Sequence, residues 1–458
     1  MATYYDQNKY NSLREEYEFF SFQRYDYTFE NGNLSAKFYF SLGDKYFFTP
    51  SFEIPSREFY SWKMLKDRYL DTLIFNIGMI ELISYWKLAC PKKVYIVPHY
   101  LDEKQILWWK KLYFNGLGEF FYLNGIKENL NDFMHIIPES DDKCQKLDSV
   151  LGEKTLVPVG GGKDSVVTIE LLKNKMPIIP LIINPRGATK ECVSTAGFSE
   201  EQTAIIKRTL DPTMLIMNNE GFLNGHTPFS AMLAFYTLLI GFASNSKYIA
   251  LSNESSANEP TVPDSEINHQ YSKSVEFEND FRDYVYEYIS SDIQYFSFLR
   301  PLNELQIASL FAQNKEYYKV FKSCNVGSKT DSWCGKCPKC LFIWIIMSPF
   351  IPEKELEEIF GKNLLKDNDL LPILKQLKGE VEVKPFECVG TIEEVNACLE
   401  YCQQPIANSQ HPTANSQQPI ANSQQPKSLY NLLNQYDDNN NLPEIFERIL
   451  KDKLHITK

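Results

Sequence analysis

The sequence predicts an α/β protein whose central domain is a parallel sheet of about five strands with helices on both faces. From residue 155 onward, short β-branched runs alternate with helical patterns, which is the order of right-handed β–α–β crossovers. A glycine-rich turn separates the first of these strands from the first helix. Residues 1–145 instead mix aromatic strands with helices, which predicts a separate α+β N-terminal domain.

The N-terminal domain begins with strands and continues with helices. Residues 1–55 alternate aromatic and polar side chains, and Asn31-Gly32 between two such runs predicts a hairpin turn. The aromatic run over 108–126 suits either core packing or a binding surface, and core packing is favoured. The remaining spacing predicts a helix over 56–88, a strand over 93–98 and a helix over 101–113.

The central domain is expected to span residues 150–350. Ser199 and Gln202 form a capping box that predicts a helix immediately after it. The other patterns predict strands at 155–159, 177–183, 213–217 and 247–251, and helices at 165–174, 229–245, 271–289 and 303–321.

Composition and charge limit the classes of function. The chain has 458 residues, 43% of them hydrophobic, and a net charge of −12, which argues against a protein that grips nucleic acid. The start of the chain has no signal-peptide pattern, and the apolar stretches 72–86 and 229–243 are too short to cross a bilayer. Ten unevenly spaced cysteines fit a reducing compartment. We therefore expect a cytoplasmic protein with neither nucleic acid nor membrane as its partner.

The stretch VPVGGGKDSVV, residues 157–167, carries the strongest signal in the chain. It lacks the glycine that a Walker loop needs before its Gly-Lys pair, and it lacks the dinucleotide G-x-G-x-x-G spacing. Glycines allow backbone N–H groups to converge on phosphate oxygens, and a following helix directs its positive end there. An ordinary strand-to-helix turn is the alternative. The candidate phosphate-binding residues are Gly160, Gly161, Gly162, Lys163, Asp164 and Ser165, with Asp164 also a magnesium ligand.

A second motif is a cluster of four cysteines, with two overlapping C-x-x-C steps and one cysteine upstream. Four thiolates can surround zinc tetrahedrally with no open position, which predicts a structural zinc knuckle. Unmetallated thiols and an iron–sulfur cluster are the alternatives. The predicted ligands are Cys324, Cys334, Cys337 and Cys340, whereas Cys90, Cys144, Cys192, Cys388, Cys398 and Cys402 are interpreted as buried or incidental.

Weaker candidates lie in loops that follow predicted strands, where open α/β sheets bind ligands. Arg186 follows one strand and could meet a phosphate or a carboxylate, and His226 could act as a base or cap a helix. The polar segment 252–278 follows another strand, and an ordinary surface loop is the alternative there. Its candidates are Glu254, Asn258, Asn268, His269 and Lys273.

Three segments follow the central domain. Residues 351–402 form a C-terminal extension, and residues 428–458 predict a helical tail. Between them, residues 403–427 repeat QPIANSQ with a period of seven and a proline in each repeat. This composition predicts a disordered low-complexity segment, and His411 within it has no expected role in chemistry.

These motifs carry a family resemblance. The loop Gly160–Ser165 resembles the Ser-Gly-Gly-x-Asp-Ser loop of PP-loop ATP pyrophosphatases, the adenine nucleotide alpha-hydrolase-like fold, with Gly160 in place of the common serine. Together with ESSANE, NHQYSKS, SWCGKCPKC and two N-terminal segments, it is similar to the UDP-N-acetylmuramoyl-L-alanyl-L-glutamate epimerase family over residues 50–345.

The resemblance implies a reaction and its participants. The terminal L-glutamate of UDP-MurNAc-L-Ala-L-Glu would become D-glutamate in peptidoglycan precursor synthesis, while ATP is cleaved to AMP and pyrophosphate. It implies ATP, Mg²⁺ and structural Zn²⁺ as cofactors, and an adenylated carboxylate as the activated species. The glycine loop would hold the leaving pyrophosphate. The implied catalytic candidates are Lys163, Asp164, His226, His269 and Lys273.

Other members of the superfamily provide the alternatives. The 7-cyano-7-deazaguanine synthase family pairs a similar loop with four cysteines, but its members are about half this length and leave residues 1–140 unexplained. Transfer-RNA thiolation would need a basic RNA surface, and a non-enzymatic ATP-binding regulator is the remaining class. The sequence leaves the oligomeric state open.

Overall fold

A computed structural model describes residues 7–62, 65, 67–262, 265–327, 330–403 and 426–455. Residues 404–425 of the predicted low-complexity segment, His411 included, lie outside the described residues. Within the described ranges, no helix combines the length and the apolar character needed to cross a membrane.

Eleven strands and sixteen α-helices make up the described fold. The strands are β1 (Phe19–Glu30), β2 (Asn33–Leu42), β3 (Tyr46–Phe48), β4 (Ser51–Ile54), β5 (Lys93–Ile96), β6 (His135–Pro138), β7 (Thr155–Pro158), β8 (Ile178–Ile183), β9 (Ala204–Thr209), β10 (Tyr248–Leu251) and β11 (Gln294–Ser297). The helices are α1 (Gln7–Glu16), α2 (Asp67–Trp86), α3 (Glu103–Gly116), α4 (Gly118–Leu123), α5 (Lys163–Leu172), α6 (Gly187–Thr195), α7 (Thr213–Asn219), α8 (Phe229–Ala243), α9 (Val275–Tyr284), α10 (Glu304–Phe311), α11 (Pro338–Met347), α12 (Glu353–Phe360), α13 (Leu371–Leu377), α14 (Ile392–Gln403), α15 (Lys427–Leu433) and α16 (Glu444–Leu454).

The strands form one mixed sheet in the order β11-β10-β7-β8-β9-β4-β2-β1-β5-β6, with β3 paired to β2. Its first five strands are all parallel, as predicted. The sheet as a whole is nevertheless mixed, because β4 pairs with β9 antiparallel and extends the sheet into the N-terminal region. The prediction of a purely parallel sheet is therefore wrong. This pairing covers the edge that β9 would otherwise expose. The predicted domain boundaries remain predictions.

Helices cover both faces of the sheet, because neighbouring residues of β7 are buried in two different hydrophobic cores. Successive strand residues point to opposite faces. Leu156 belongs to one hydrophobic core together with α2 and α8, whereas its neighbour Val157 belongs to a second core with α5, α10 and α11. The prediction of an α/β fold with two covered faces is therefore confirmed.

The predicted hairpin at Asn31-Gly32 is confirmed. Glu30 of β1 pairs with Asn33 of β2, which leaves a two-residue turn. Asn31 has φ 52° and Gly32 has φ 80°, and a two-residue turn with both φ positive favours this dipeptide. The aromatic run at 108–126 packs in the core, with Trp109 fully buried, as predicted.

The order of strand and helix between residues 199 and 219 was predicted wrongly. The Ser199–Gln202 capping-box hydrogen bonds form, at 2.9 and 3.4 Å, but they close a turn that leads into β9. Ile205 and Ile206 are buried against β8, so packing on the sheet overrides the local helix signal. Residues 213–217 form α7 because Met214 and Met217, three positions apart, face the core together.

Several other elements differ from the expected pattern. The predicted helix over 271–289 is shorter, with α9 followed by a π-helical turn at 285–289, and the one over 303–321 is reduced to α10 and a short 3₁₀ turn. The sequence pattern predicts none of three further elements, β6, α6 and β11. The two strands among them have only four residues each, which is too few for the periodicity of side chains to distinguish a strand from a loop.

A buried ion pair joins strand β9 to helices α2 and α8. Glu81 of α2 binds Arg208 of β9 through two contacts of 2.5 and 2.6 Å, and the Tyr236 hydroxyl of α8 donates to the same carboxylate at 3.0 Å. The side chains of Glu81 and Arg208 are 1% and 10% exposed. Removing one partner of such a pair leaves a charge buried without compensation.

We expect Glu81→Gln to lower the free energy of unfolding by about 3 kcal/mol or more, because Arg208 would keep its charge without a counter-charge. The matched control is Glu53→Gln, which removes the exposed pair of Glu53 on β4 with Lys207 on β9 (3.3 Å). That change should cost less than about 1 kcal/mol. Urea unfolding measures both, and equal losses would contradict the role given to the buried pair.

Candidate active site

The glycine loop lies between β7 and α5, with Gly162 at the N-cap of the helix. Gly161 has φ +80°, and a Cβ there would lie 3.1 Å from backbone atoms of Ala188 and Thr189 in the first turn of α6. The N-termini of two helices therefore meet at this loop. At α6 the Ala188 N–H already donates to Asp331, whereas the start of α5 has no side-chain cap. The N–H groups and the positive dipole end of α5 therefore make the loop suited to an anion such as phosphate.

Ser165 and Arg186 occupy different positions relative to this loop. The Ser165 hydroxyl donates to the Gly162 carbonyl at 3.0 Å, so it holds the shape of the turn. Arg186 is exposed and stands at the N-cap of α6, where its backbone N–H bonds to Thr189 at 2.9 Å. Both predicted residues are thus near the loop, Ser165 within it and Arg186 at its outer edge.

Lys163 is the buried charge at the centre of the site. Its side chain is 1% exposed, and its ammonium contacts the carboxylates of Asp164 and Glu304. Burial alone would lower the pKa of Lys163, but Asp164, Glu304 and Glu254 outweigh it and raise that pKa. Lys163 is therefore a fixed cation, shared among carboxylates from three parts of the chain.

Three carboxyl groups, those of Asp164, Glu254 and Glu304, interact with the Lys163 ammonium. Burial raises the pKa of Glu254, which follows β10, and raises the pKa of Glu304 on α10 still further. Glu304 is also fixed through its backbone, because its N–H donates to Glu394 of α14 at 2.6 Å. A raised pKa favours the protonated form of both carboxyl groups, and a divalent cation, which takes carboxylate oxygens as ligands, would replace those protons beside Asp164.

The polar segment after β10 divides into structural and site residues. Asn258 accepts a hydrogen bond from the Val275 backbone at 2.8 Å, and Asn268 donates to the Ala257 carbonyl at 2.9 Å. These two predicted candidates therefore hold the segment together. Glu254, His269 and Lys273 instead contribute to the charged cluster.

The second half of the site is centred on Cys388, which the sequence had led us to interpret as incidental. Cys388 is only partly buried, Lys273 donates to its sulfur at 3.2 Å, and His269 interacts electrostatically with it. His269 Nδ1 lies 2.5 Å from Glu119 Oε2, which is within hydrogen-bond distance, so this carboxylate orients the imidazole ring.

His226 completes this group. Its Nδ1 lies 3.4 Å from Glu119, and its ring centroid is 4.6 Å from that of His269. Glu119, like Cys388 and Glu304, was missed by sequence reasoning. Glu119 and Cys388 lie 150 and 115 residues from their partners His269 and Lys273, and no motif marks them. Folding alone brings them to the site.

The pKa shifts of Cys388, His269 and His226 favour different charge states at the three side chains. Burial would raise the pKa of Cys388, but Lys273, Lys339 and His269 hold it well below the usual value for a thiol. Burial would lower the pKa of His269, but hydrogen bonds to Cys388 and Glu119 raise it to about 9. Burial and the neighbouring His269 lower the pKa of His226 to about 4. These shifts favour a thiolate at Cys388 and a protonated His269 beside a neutral His226.

The four predicted metal ligands lie together next to the glycine loop. Sulfur atoms are 3.8 Å apart for Cys324 and Cys337, 3.7 Å for Cys334 and Cys340, and 3.4 Å for Cys337 and Cys340. Thiolates around one zinc ion at about 2.3 Å stand about 3.8 Å apart, so the four residues fit such an ion.

The segment that contains the four cysteines, here called the cysteine segment, also contacts the glycine loop. The Lys322 backbone N–H donates to the Gly161 carbonyl at 2.8 Å, and Asp331 accepts from the Ala188 backbone at 2.9 Å. On the other side, Asn325 donates to Glu387 at 2.8 Å, next to Cys388. The cysteine segment therefore contacts the glycine loop, α6 and the segment that carries Cys388.

Comparisons with known proteins agree along most of the chain. The MurL N-terminal domain family matches residues 11–298, and the MurL C-terminal domain family matches residues 320–429. The UDP-N-acetyl-alpha-D-muramoyl-L-alanyl-L-glutamate epimerase of a Micromonospora strain is 34% identical over 325 residues, which are 69% of this chain and 72% of the relative. The protein of the same name from Xanthomonas oryzae pv. oryzae is 34% identical over 332 residues, 69% and 70% of the two chains.

We expect Gly161→Ala to destabilise the protein by about 1–2 kcal/mol, because alanine is strained at φ +80° and its methyl group would press on the backbone of α6. Gly160→Ala is the matched control, since a Cβ at Gly160 would meet nothing within 4 Å. It should change the stability by less than about 0.5 kcal/mol. Thermal unfolding measures both variants, and similar losses would contradict the close approach of the two helix N-termini.

Proposed function

The chain belongs to the MurL family and is an epimerase, an isomerase, and from this premise we propose the chemistry of its site. We propose that it inverts the terminal L-glutamate of UDP-MurNAc-L-Ala-L-Glu to D-glutamate, the reaction that the names of its relatives describe. We further propose that ATP activates the glutamate carboxyl group as an adenylate, with release of pyrophosphate.

The chemical reason for activation is the charge of the substrate. An ionised carboxylate makes its own Cα proton very hard to remove, because the electron pair left behind would lie beside existing negative charge. Adenylation removes that charge and allows the carbonyl oxygen to accept the developing negative charge. A base then removes the proton, and a proton delivered to the other face inverts the centre. Water would then hydrolyse the adenylate, which releases AMP and the D-epimer.

The observation that carries the proposal is the continuity of the charged cluster from the glycine loop to the Cys388 group. Glu254 interacts with Lys163 and Asp164 on the loop side and with Lys273 and Cys388 on the other. A phosphate-binding loop supports activation of a carboxyl group, and a thiolate and imidazoles within the same cluster support movement of a proton. Epimerisation by way of an adenylate needs both within one site.

The implied metal ions each have residues that suit them. Asp164, with Glu254 and Glu304 nearby, would hold Mg²⁺ beside the loop, where the cation would neutralise charge on the leaving pyrophosphate. The four cysteines would hold Zn²⁺ in a closed site, which would keep the cysteine segment folded against Gly161.

The experiment that tests the reaction uses purified protein, ATP, Mg²⁺ and UDP-MurNAc-L-Ala-L-Glu in deuterated water. We expect AMP and pyrophosphate only when the dipeptide substrate is present, and D-glutamate with deuterium at Cα in the product. Asp164→Asn should lower AMP formation and deuterium incorporation together by about 100-fold or more. Asp452→Asn, an exposed change on α16, is the control and should alter neither.

Two results would decide against this mechanism. Deuterium exchange at Cα without ATP would remove the adenylate. Formation of ADP in place of AMP would mean that the glycine loop does not bind pyrophosphate as a leaving group.

For the cysteine cluster we expect one zinc ion per chain, measured by elemental analysis of the purified protein. Cys337→Ser should remove it and lower the melting temperature by several degrees, because structural zinc contributes on the order of 10 kcal/mol to local folding. Cys402→Ser, at an exposed cysteine outside the cluster, should change neither. Iron in place of zinc, or no metal in the unaltered protein, would refute the zinc assignment.

A further inference from the structure

Cys388 differs from the other cysteines outside the four-cysteine cluster. Cys90, Cys192 and Cys398 are buried, and burial raises the pKa of each. The pKa of Cys402 is also raised, although its side chain is exposed. Only Cys388 of this set contacts both a lysine and a histidine. The structure thus surrounds this one thiol with cations.

Cys388 interacts with two side chains that other residues hold in place. Cys388 accepts a hydrogen bond from Lys273 at 3.2 Å and interacts electrostatically with His269, one ring nitrogen of which lies 2.5 Å from Glu119. A carboxylate that orients an imidazole beside a thiol is the arrangement that activates cysteine in many enzymes. None of the four residues is fully buried.

The position of Cys388 relative to the glycine loop suits proton transfer. The carboxyl group to be activated must lie at the loop, and the glutamate Cα is one bond away from it. A group that moves the Cα proton must therefore lie within a few ångströms of the activated carbonyl. Lys273 connects Cys388 to the loop side of the site, since it contacts the thiol and interacts electrostatically with Glu254 and Asp164.

We propose that Cys388 is the catalytic residue that exchanges a proton with the glutamate Cα, and that His269 and Glu119 are residues that position it. In the forward step the thiolate takes the Cα proton and becomes a thiol, while the electron pair of the broken C–H bond moves into the activated carbonyl group. A proton that comes from solvent is then delivered to the opposite face, the electron pair returns from the carbonyl group to form the new C–H bond, and the thiol releases its proton to solvent. This proposal rests on the proposed function, because it needs an activated carboxyl group.

The nearby segments support a role for this part of the chain in the site. Lys384, four positions before Cys388, contacts the loop that contains His269 and Lys273. The Lys384 backbone donates to the Thr261 carbonyl at 3.3 Å, and the Lys384 ammonium contacts Glu259 and donates to the Gly390 carbonyl at 2.9 Å, on the other side of Cys388. The thiol is therefore held against the central domain by its own flanking residues.

The test separates activation from proton transfer. Cys388→Ala should keep substrate-dependent exchange of labelled pyrophosphate into ATP within about threefold of the unaltered protein. It should lower D-glutamate formation and deuterium incorporation at Cα by about 100-fold or more, the usual contribution of a general base. Cys402→Ser is the matched control and should keep all three rates.

Each other outcome has a defined meaning. If Cys388→Ala keeps deuterium incorporation, or loses pyrophosphate exchange along with it, the proposal is overturned. If the unaltered protein shows no pyrophosphate exchange but inverts glutamate without ATP, the proposed adenylate fails, and loss of that inversion in Cys388→Ala would still support the thiol. A covalent acyl group on Cys388 in the mass spectrum would show a nucleophile instead and overturn proton exchange.

A second measurement tests the positioning residues. Iodoacetamide should alkylate Cys388 at pH 7 at least about 10-fold faster than it alkylates Cys402, as followed by peptide mass spectrometry. His269→Asn and Glu119→Gln should each slow alkylation of Cys388, with no change at Cys402. A purely structural role of His269 predicts equal reactivity before and after the substitution, and that result would contradict the proposal.

Discussion

The buried ammonium of Lys163 is the interaction on which the rest of the site depends. It follows the glycine loop directly, so the loop and the start of α5 are fixed wherever this charge is fixed. Its partners come from elsewhere in the chain, since Glu304 begins α10 and Glu254 follows β10. A cation at this depth is tolerated only with several carboxylates around it. The charge therefore forces three distant segments to meet at one place.

The C-terminal region is part of this meeting point rather than an appendage. Glu394 on α14 accepts from the backbone of Glu304 and of Thr391, so a residue of the extension fixes the first turn of α10. The same region supplies Cys388. N-terminal Glu119 completes the group from the opposite end of the chain. The site is thus built from all the regions that the sequence pattern separated.

The sequence predicted features whose cause is local. The Asn31-Gly32 turn, the parallel order around β7 and the four-cysteine spacing all follow from residues close together in the chain. It failed where distant packing decides, as at the capping box before β9 and at the antiparallel junction of β4 with β9. The lysine and histidine candidates were found because their loops follow strands, whereas Cys388 stands in no pattern at all.

The long chain separations within the site have a consequence for how the protein matures. Lys163 and Glu304 are 141 residues apart, Glu119 and His269 are 150 apart, and Lys273 and Cys388 are 115 apart. Contacts of such separation form late, because the loop entropy is lost before they stabilise anything. During synthesis, the glycine loop emerges more than two hundred residues before Cys388. A nascent or truncated chain that ends before residue 388 therefore carries the glycine loop without Cys388, and the two parts of the site are joined only after that residue has been added.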